Sequence, residues 1–468
     1  MDYVIKNGTV CLEGEHFRAD VTVREGKIQA LGKAVHDGHE TVIDADGLYV
    51  CPGGIDAHTH MDLQQSPQYR TCDDFYSGGV AAACGGTTTI LDHMAFGPAG
   101  CSLRYPFERY RKLAVPCPVD YSFHGVIQHV DDQVLQELGQ LIDEGFPSFK
   151  AYTTYGYPVG EKKLMQLLPV IKKHGGLLTV HAESDGITNA LRDALGPQDL
   201  QPIGQAKTRP NVAEAAAVSR VLAAARACGD APVYIVHTSA HESLDQLRLA
   251  RRQGQRHIYS ETCPQYLLLT EEKFRHGGPM EGIKYMLAPP LRKAEDNQAL
   301  WQALADGTIQ TVATDHCPFT IAEKQENVSD FRNCPGGVSG VEERMPLLFS
   351  EGVLKGRLTL ERFVQVTSAN VAKIFGLYPR KGTLLPGSDA DIVLIDPKGT
   401  RTFARENLHT TCGYSPYEGM TVQATIRLTM LRGEIIAKDN QFCGKRGYGT
   451  LLHRSAIKDN LDYRKVAL

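Results

Sequence analysis

The sequence predicts an α/β protein: a (β/α)8 barrel of the TIM type with a small β-sandwich domain built from both chain ends. Eight near-continuous apolar runs alternate with helical segments through the middle of the chain, as expected for parallel strands buried on both faces. Short alternating strands broken by Gly and Asp occupy the two ends, which is typical of antiparallel sandwiches. A doubly wound open sheet would favour a GxGxxG motif after the first strand, and the sequence has none there.

The two chain ends share one pattern. Residues 1–50 hold short strands separated by Asn-Gly, Glu-Gly and Asp-Gly turn pairs. Residues 382–445 contain the alternating runs LLPGSDADIVLID and TVQATIRLTMLRGEII. We therefore expect 1–50 and 382–445 to form the two parts of one sandwich, with a barrel of residues 51–381 inserted between them.

Eight strand–helix units are expected in the inserted barrel. Each begins with an apolar or β-branched run, ends that run on a polar residue and continues into a helical pattern. The helix NVAEAAAVSRVLAAARAC after the fifth run is predicted to begin with a capping box of Asn211 and Glu214. The eight runs are YVCPGGIDAHTH, GTTTILDHM, VDYSFHGVI, FPSFKAYTTY, LLTVHAES, PVYIVHTSA, HIYSETCPQYL and QTVATDHCPF.

Composition narrows the classes of function. The chain has 468 residues, 42% of them hydrophobic and 22% charged, with a net charge of −4, so no nucleic-acid partner is expected. The opening MDYVIKNGTV has the pattern of a strand rather than of a signal peptide, and no run of about 18 apolar residues predicts a membrane span. The twelve cysteines include no CxxC pair, which is typical of reduced thiols and favours a cytoplasmic protein.

Six polar side chains end or follow five of the predicted barrel strands. A barrel gathers the carboxyl ends of its strands at one mouth, so these residues are expected to converge there. The two histidines of the HxH pair point to the same side of an extended strand, although such a pair alone fits a metal site and a solvent-facing pair equally well. Two more histidines at the ends of purely apolar strands favour a metal site. The six residues are His58 and His60 on the first strand, Lys150 on the fourth, His181 on the fifth, His237 on the sixth and Asp315 on the eighth.

Lys150 differs from the other five because it lies inside the apolar segment PSFKAY. A buried ammonium is costly, and it offers only donors, so it cannot ligate a metal. The side chain could extend to the surface or pair with an acid. Alternatively, reaction with CO2 would convert the amine into a carbamate, an anion with two oxygens that could bridge two metals.

The motifs resemble those of the dihydropyrimidinase/hydantoinase branch of the amidohydrolase superfamily, and CDDFYSGGVAAACGGTTTILDHM is similar to the bacterial phenylhydantoinases. This likeness covers nearly the whole chain. It implies a binuclear metal hydrolase that opens the cyclic amide of 5-substituted hydantoins or of dihydropyrimidines to N-carbamoyl amino acids. The motifs that carry it, in the family's order, are GGIDAHTH, SFKAYTTY, TVHAES, IVHTSA, ETCPQYL and ATDHCPF.

The resemblance implies two divalent ions, with zinc as the expected metal, and a CO2-derived carbamate on Lys150 (N6-carboxylysine) that bridges them. Asp315 would also move a proton from the attacking water to the departing ring nitrogen. Tyr155, five residues after the lysine, would stabilise the oxyanion. The implied ligands are His58, His60 and Asp315 for one ion and His181 and His237 for the other.

The resemblance also implies how the substrate and the subunits are held. Backbone groups around Ala288 and around Gly336 would bind the imide edge of the ring, although Ser and Asn are usual at these two positions. Homotetramers are usual in the family, and the tail of residues 446–468 is a candidate subunit contact. Four apolar residues are candidates for lining the pocket of the ring substituent, namely Leu63, Phe96, Tyr152 and Tyr157.

Three alternatives remain to be compared with this prediction. Dihydroorotases usually place an Arg two residues after HxH to pair with a substrate carboxylate, whereas here His60 is followed by Met61, Asp62 and Leu63. An allantoinase would also act on a hydantoin ring. A non-catalytic dihydropyrimidinase-like scaffold would have lost metal ligands, but all six ligand positions are filled here.

Overall fold

A computed structural model describes residues 2–33 and 38–457 of the chain. The described strands are β1 (Tyr3–Cys11), β2 (His16–Arg24), β3 (Lys27–Gly32), β4 (Thr41–Asp44), β5 (Tyr49–Pro52), β6 (Gly54–Thr59), β7 (Thr87–His93), β8 (Asp120–Val126), β9 (Ser148–Tyr152), β10 (Leu177–His181), β11 (Val233–Ile235), β12 (Ile258–Thr262), β13 (Thr311–Val312), β14 (Ile392–Asp396), β15 (Arg401–Thr402), β16 (Thr421–Val422), β17 (Thr425–Leu431), β18 (Glu434–Lys438) and β19 (Gln441–Phe442).

The helices lie mainly between the strands of the middle segment. They are α1 (Ser77–Cys84), α2 (Arg104–Leu113), α3 (Asp132–Asp143), α4 (Glu161–His174), α5 (Asp185–Asp193), α6 (Gly204–Thr208), α7 (Asn211–Ala227), α8 (His241–Arg252), α9 (Pro264–Leu268), α10 (Pro279–Gly282), α11 (Ala294–Ala305), α12 (Ile321–Gln325), α13 (Arg344–Leu348), α14 (Leu360–Val364) and α15 (Asn370–Ile374). Two π-helical segments, Phe349–Leu354 and Gln365–Ala369, connect α13, α14 and α15.

The predicted barrel is confirmed. Strands β6 to β13 form one eight-stranded sheet in sequence order, with parallel pairing throughout. The edges approach each other where Thr59 bridges His316 and the His60 N–H donates to the His316 carbonyl at 2.9 Å. Every residue of β6, β7, β8, β10, β11, β12 and β13 is buried. This burial explains why the strands are continuous apolar runs rather than alternating ones.

The two chain ends meet in a second, mostly antiparallel sheet of nine strands. Its order is β19-β18-β17-β14-β5-β1-β2-β3, with β4 paired to β1. The C-terminal part joins the N-terminal part where β14 pairs antiparallel with β5. The first predicted run therefore contains two strands, β5 in this sheet and β6 in the barrel. The chain crosses between them at Gly53, where a Cβ would collide with the Thr88 side chain.

The described part of the tail packs back onto the amino-terminal end of the barrel. Leu452 donates its N–H to the Tyr121 carbonyl at 2.7 Å, and its side chain is buried. Arg454 is buried and bonds the Phe123 carbonyl at 2.6 Å and the Ser148 hydroxyl at 2.7 Å. Residues 458–468, the rest of the predicted tail, lie outside the described residues.

Helix α7 begins differently from the prediction. Asn211 is its first residue, Pro210 is its N-cap, and no side chain caps it. The Asn211 amide donates instead to Asp296 at 2.9 Å. Glu214 is buried and accepts from the Ser239 N–H at 3.1 Å and the Ser243 hydroxyl at 2.7 Å. The predicted capping box is therefore wrong, because tertiary partners take both side chains.

Within residues 2–33 and 38–457, no helix has both the length and the apolar character that crossing a bilayer requires.

Candidate active site

The carboxyl ends of the barrel strands surround one cavity of about 930 Å³. Residues from β6, β8, β9 and β10, and from the segments after β6, β7, β9, β10, β11, β12 and β13, line it. Every residue that the sequence analysis proposed for the site reaches this cavity. These residues are His58, His60, Leu63, Phe96, Lys150, Tyr152, Tyr155, Tyr157, His181, His237, Ala288, Asp315 and Gly336.

The first group of candidate ligands is centred on Asp315. The Nε2 atoms of His58 and His60 both lie 3.1 Å from Asp315 Oδ1. One ligand atom from each of the three residues lies within 4.8 Å of the others. Burial alone would raise the pKa of Asp315, but His58 and His60 hold it well below the ordinary value. Burial lowers the pKa of His60 to about 4. The group therefore presents an ionised carboxylate beside an imidazole that is neutral near pH 7, as a divalent cation requires.

The second group contains His181 and His237. His237 Nε2 lies 2.8 Å from His181 Nδ1, and the two ring centroids are 4.5 Å apart. Burial lowers the pKa of both imidazoles, which favours their neutral, metal-binding form. The ring of His237 also stacks on His58 with centroids 5.4 Å apart, so the two groups are neighbours in one cluster.

Lys150 lies next to the first group. Its side chain is 1% exposed, and Nζ lies 3.2 Å from His58 Nε2. No carboxylate among the described residues forms an ion pair with it at 4 Å or less. Burial lowers the pKa of Lys150 to about 8. Of the two non-covalent arrangements left open by the sequence, extension to the surface is excluded and pairing with an acid is not observed. A much larger fraction of this amine is therefore deprotonated at neutral pH than of an exposed lysine.

Three residues of the site have a backbone that L-amino acids rarely adopt. The φ angles are +71° at Tyr155, +39° at His237 and +54° at Asp315. Non-glycine residues with such angles typically cost about 1–3 kcal/mol each and cluster at functional sites. Each of the three follows the end of a barrel strand. The strained turns direct these side chains into the cavity rather than along the strand.

Two carboxylates that the sequence analysis did not single out hold the histidines in place. Glu261 contacts His58 Nδ1 and accepts from the His237 N–H at 3.1 Å and from the Tyr234 hydroxyl at 2.8 Å. Such a carboxylate fixes the tautomer and orientation of a ligating histidine. Glu261 belongs to the run HIYSETCPQYL, and a charged residue inside a buried strand was the available signal.

Glu183 has the same relation to His181. Its Oε2 lies 2.9 Å from His181 Nε2 and also contacts Arg209. Burial alone would raise the pKa of Glu183, but Arg209 and His181 lower it to about 2. The Arg209 guanidinium lies 5.3 Å from the centre of the Tyr155 ring. Arg209 thereby connects the second histidine group to Tyr155, and no local sequence pattern indicated this role.

An aromatic wall borders the cavity on the side of β9. The ring of Phe96 lies 4.9 Å from that of Tyr157 and 5.5 Å from that of Tyr152, measured between centroids. Leu63 lines the same cavity. Asp62, the charged residue after the HxH pair, turns away from the cavity and pairs with Arg70.

The sequence and the fold of this chain are both similar to those of known hydantoinases and dihydropyrimidinases. Residues 49–436 match the Amidohydrolase family. The D-phenylhydantoinase of Escherichia coli strain K12 is 45% identical over 459 residues, which cover 97% of this chain and 98% of that protein. The dihydropyrimidinase of Brevibacillus agri has the same fold with a TM-score of 0.95 and 38% identity, over 98% of this chain and all of that one. The L-hydantoinase (dihydropyrimidinase) of Arthrobacter aurescens matches with a TM-score of 0.87 and 30% identity, over 97% of this chain and 100% of that one.

Proposed function

This chain belongs to the amidohydrolase family, and we propose that the cavity at its barrel mouth holds two divalent metal ions and opens five- or six-membered cyclic amides. It is an enzyme that hydrolyses cyclic amides and is similar to the hydantoinases and dihydropyrimidinases. The observation that carries the proposal is that four histidines, one aspartate and one buried lysine, from five barrel strands and the turns after them, meet in one cavity.

The donor set fits zinc. Imidazole nitrogens and a carboxylate are its preferred protein ligands alongside thiolates. The two histidine groups are adjacent, and burial lowers the pKa of His60, His181 and His237. A pair of such ions would supply a water of lowered pKa and a Lewis acid for the scissile carbonyl. Carboxylated Lys150 is proposed to bridge them, because carboxylation replaces a buried cation that forms no close ion pair by an anion beside the two histidine groups.

Two residues of the chain are proposed to act on the reacting atoms. Asp315 would accept the proton of the attacking water and deliver it to the leaving ring nitrogen. His58 and His60 keep it ionised, which is the form that can accept a proton. Tyr155 would donate its hydroxyl to the oxygen of the attacked carbonyl as negative charge develops there. Arg209 against the ring and the strained backbone at residue 155 restrict where that hydroxyl can lie.

The aromatic wall favours substrates whose ring substituent is neutral and apolar. Phe96, Tyr152, Tyr157 and Leu63 offer an apolar surface next to the histidine cluster. No arginine follows the HxH pair, so a substrate carboxylate has no partner at the position where dihydroorotases place one. We therefore propose 5-phenylhydantoin and related 5-substituted hydantoins as substrates. The D enantiomer is favoured by the 45% identity to a protein named for it.

Metal-replete enzyme tests this proposal with D- and L-5-phenylhydantoin, dihydrouracil and allantoin. The expected result is ring opening of the D enantiomer to N-carbamoyl-D-phenylglycine, with a higher kcat/KM than for the other three. A higher kcat/KM for allantoin would identify an allantoinase. No turnover of any of the four, with metal bound, would favour the non-catalytic scaffold.

Two further expectations concern the cell and the assembly. We propose a cytoplasmic homotetramer, supported by the free state of all twelve cysteines and by the family resemblance. Light scattering of the full chain measures the assembly directly, and a monomer would contradict it.

A further inference from the structure

A second buried lysine, Lys324, lies behind the wall of the cavity. It is the fourth residue of the short helix α12, and its side chain is 0% exposed. Its Nζ donates to the Met286 carbonyl at 2.9 Å and to the Pro335 carbonyl at 3.2 Å. Nothing in the proposed metal chemistry uses this residue.

The charge of Lys324 has no carboxylate partner among the described residues. By contrast, the buried Lys381 pairs with Asp120 and Asp391 at 2.7 Å and with Asp389 at 3.0 Å. Burying an ammonium without a counter-ion costs several kcal/mol, and burial lowers the pKa of Lys324. A methionine of similar length would fill the same space without this penalty. Packing alone therefore does not explain why a lysine occupies this position.

The two carbonyls that Lys324 binds belong to different segments of the cavity wall. Met286 and Ala288 line the cavity in one segment, and Pro335, Gly336 and Gly337 line it in the other. The Gly337 N–H also donates to the Met286 carbonyl at 2.8 Å. Two contacts therefore join the segments. One is the backbone hydrogen bond from Gly337 to Met286, and the other is Lys324, which binds a carbonyl of each segment.

Each segment has one more tie to another part of the cavity wall. Gln205 donates to the Leu287 carbonyl at 2.6 Å. Gln65 donates to the Gly336 carbonyl at 2.8 Å and accepts from the Gly336 N–H at 3.3 Å. These two glutamines belong to different elements, Gln65 to the loop after β6 and Gln205 to α6, whereas Lys324 is the one residue among these contacts whose side chain binds both segments. Its removal would leave a single backbone hydrogen bond between them.

We propose that Lys324 is a positioning residue that sets the spacing of the two backbone segments that bind the imide edge of the substrate ring. The inference rests on the proposed function, because it takes a cyclic imide as the ligand of these segments. Ala288 and Gly336 replace the usual Ser and Asn, so recognition there depends on backbone groups. Another residue must hold those groups in position. A misplacement of about 1 Å at such a contact can cost about 100-fold in rate.

The test compares the steady-state kinetics of three variants with those of the wild type on D-5-phenylhydantoin and dihydrouracil. Lys324→Met removes the tie, and Lys324→Gln keeps a polar head with two N–H donors on a shorter stem. Arg362→Met is the matched control. Arg362 is also buried, binds the Leu304 and Ile309 carbonyls at 2.6 Å each, and lies outside the cavity lining.

Lys324→Met is expected to raise KM about 10-fold or more for both rings, since uniform substrate binding is lost, while bound metal stays unchanged. The KM of Lys324→Gln should lie between those of the wild type and Lys324→Met, at roughly threefold or more above the wild type. This variant is used for the test if Lys324→Met does not fold. Arg362→Met should leave KM within about twofold of wild type.

Two results would overturn the inference: an unchanged KM in the folded Lys324 variant, or an equal rise of KM in Arg362→Met. In both cases the wild type still opens the rings, so the proposed function stands. A metal-loaded wild type that opens neither ring would instead remove the proposed function and this inference with it.

Discussion

Replacement of Lys150 by alanine tests the proposed carboxylation of this side chain. CO2 reacts with a free amine and not with an ammonium ion. Burial lowers the pKa of Lys150 from 10.5 to about 8. This difference raises the ratio of free amine to ammonium about 300-fold at any given pH. Nζ lies 3.2 Å from His58 Nε2, so the carbamate would form beside the candidate ligands.

The assay is reconstitution of metal-stripped enzyme with Zn²⁺ at fixed dissolved CO2. We expect the wild type to recover two ions per chain and full turnover only when CO2 is supplied. The recovery rate should rise with pH and level off above about pH 8, because the reactive free amine is the form present above its pKa. Lys150→Ala should recover neither the second ion nor turnover, with or without CO2.

A matched control is Lys163→Ala, since Lys163 is half-buried, lies outside the cavity lining and donates to the Pro158 carbonyl at 3.1 Å. This variant should behave as the wild type does. If Lys150→Ala bound two ions and turned over normally, or if the wild type recovered fully without CO2, the carbamate would be refuted.

Three further predictions concern single side chains. Asp315→Asn should lower kcat by about 10²–10⁴ because the proton acceptor is lost, and wild-type turnover in that variant, with metal bound, would remove Asp315 from this role. Tyr155→Phe should lower kcat by about 10²–10³ with the fold intact, and a kcat within a few-fold of wild type would show that the hydroxyl is not needed. Burial, together with the Glu342 carboxylate, raises the pKa of Glu343 to about 7, so the folded enzyme should lose stability as pH rises from about 4.5 to 7. Glu343→Gln should remove this loss and gain up to about 3 kcal/mol at pH 8, whereas parallel profiles of melting temperature against pH would contradict the assignment.

The barrel and the members of its site could be predicted because both leave local signals. Buried parallel strands are continuous apolar runs, so all eight could be located. His58, Lys150 and Asp315 then stood out as polar residues within or just after those runs. The barrel geometry supplied the remaining step, since it brings the strand ends to one mouth.

Other features could not be predicted because their causes are not local. An apolar run does not show where the chain leaves one sheet for another, so β5 and β6 appeared as one strand. Glu214 looked like half of a capping box, yet Ser239 and Ser243 from the next strand–helix unit take its carboxylate. Lys324 binds carbonyls that lie 38 and 11 residues away in the sequence. No sequence pattern indicates such contacts.

The central claim is that six side chains on five strands hold two metal ions that open a cyclic amide. Its most direct test is elemental analysis of the purified enzyme alongside turnover of D-5-phenylhydantoin, before and after chelation. We predict two divalent ions per chain, loss of turnover when they are removed and return of turnover when they are restored with CO2. Full turnover by enzyme that contains no divalent metal would contradict the claim.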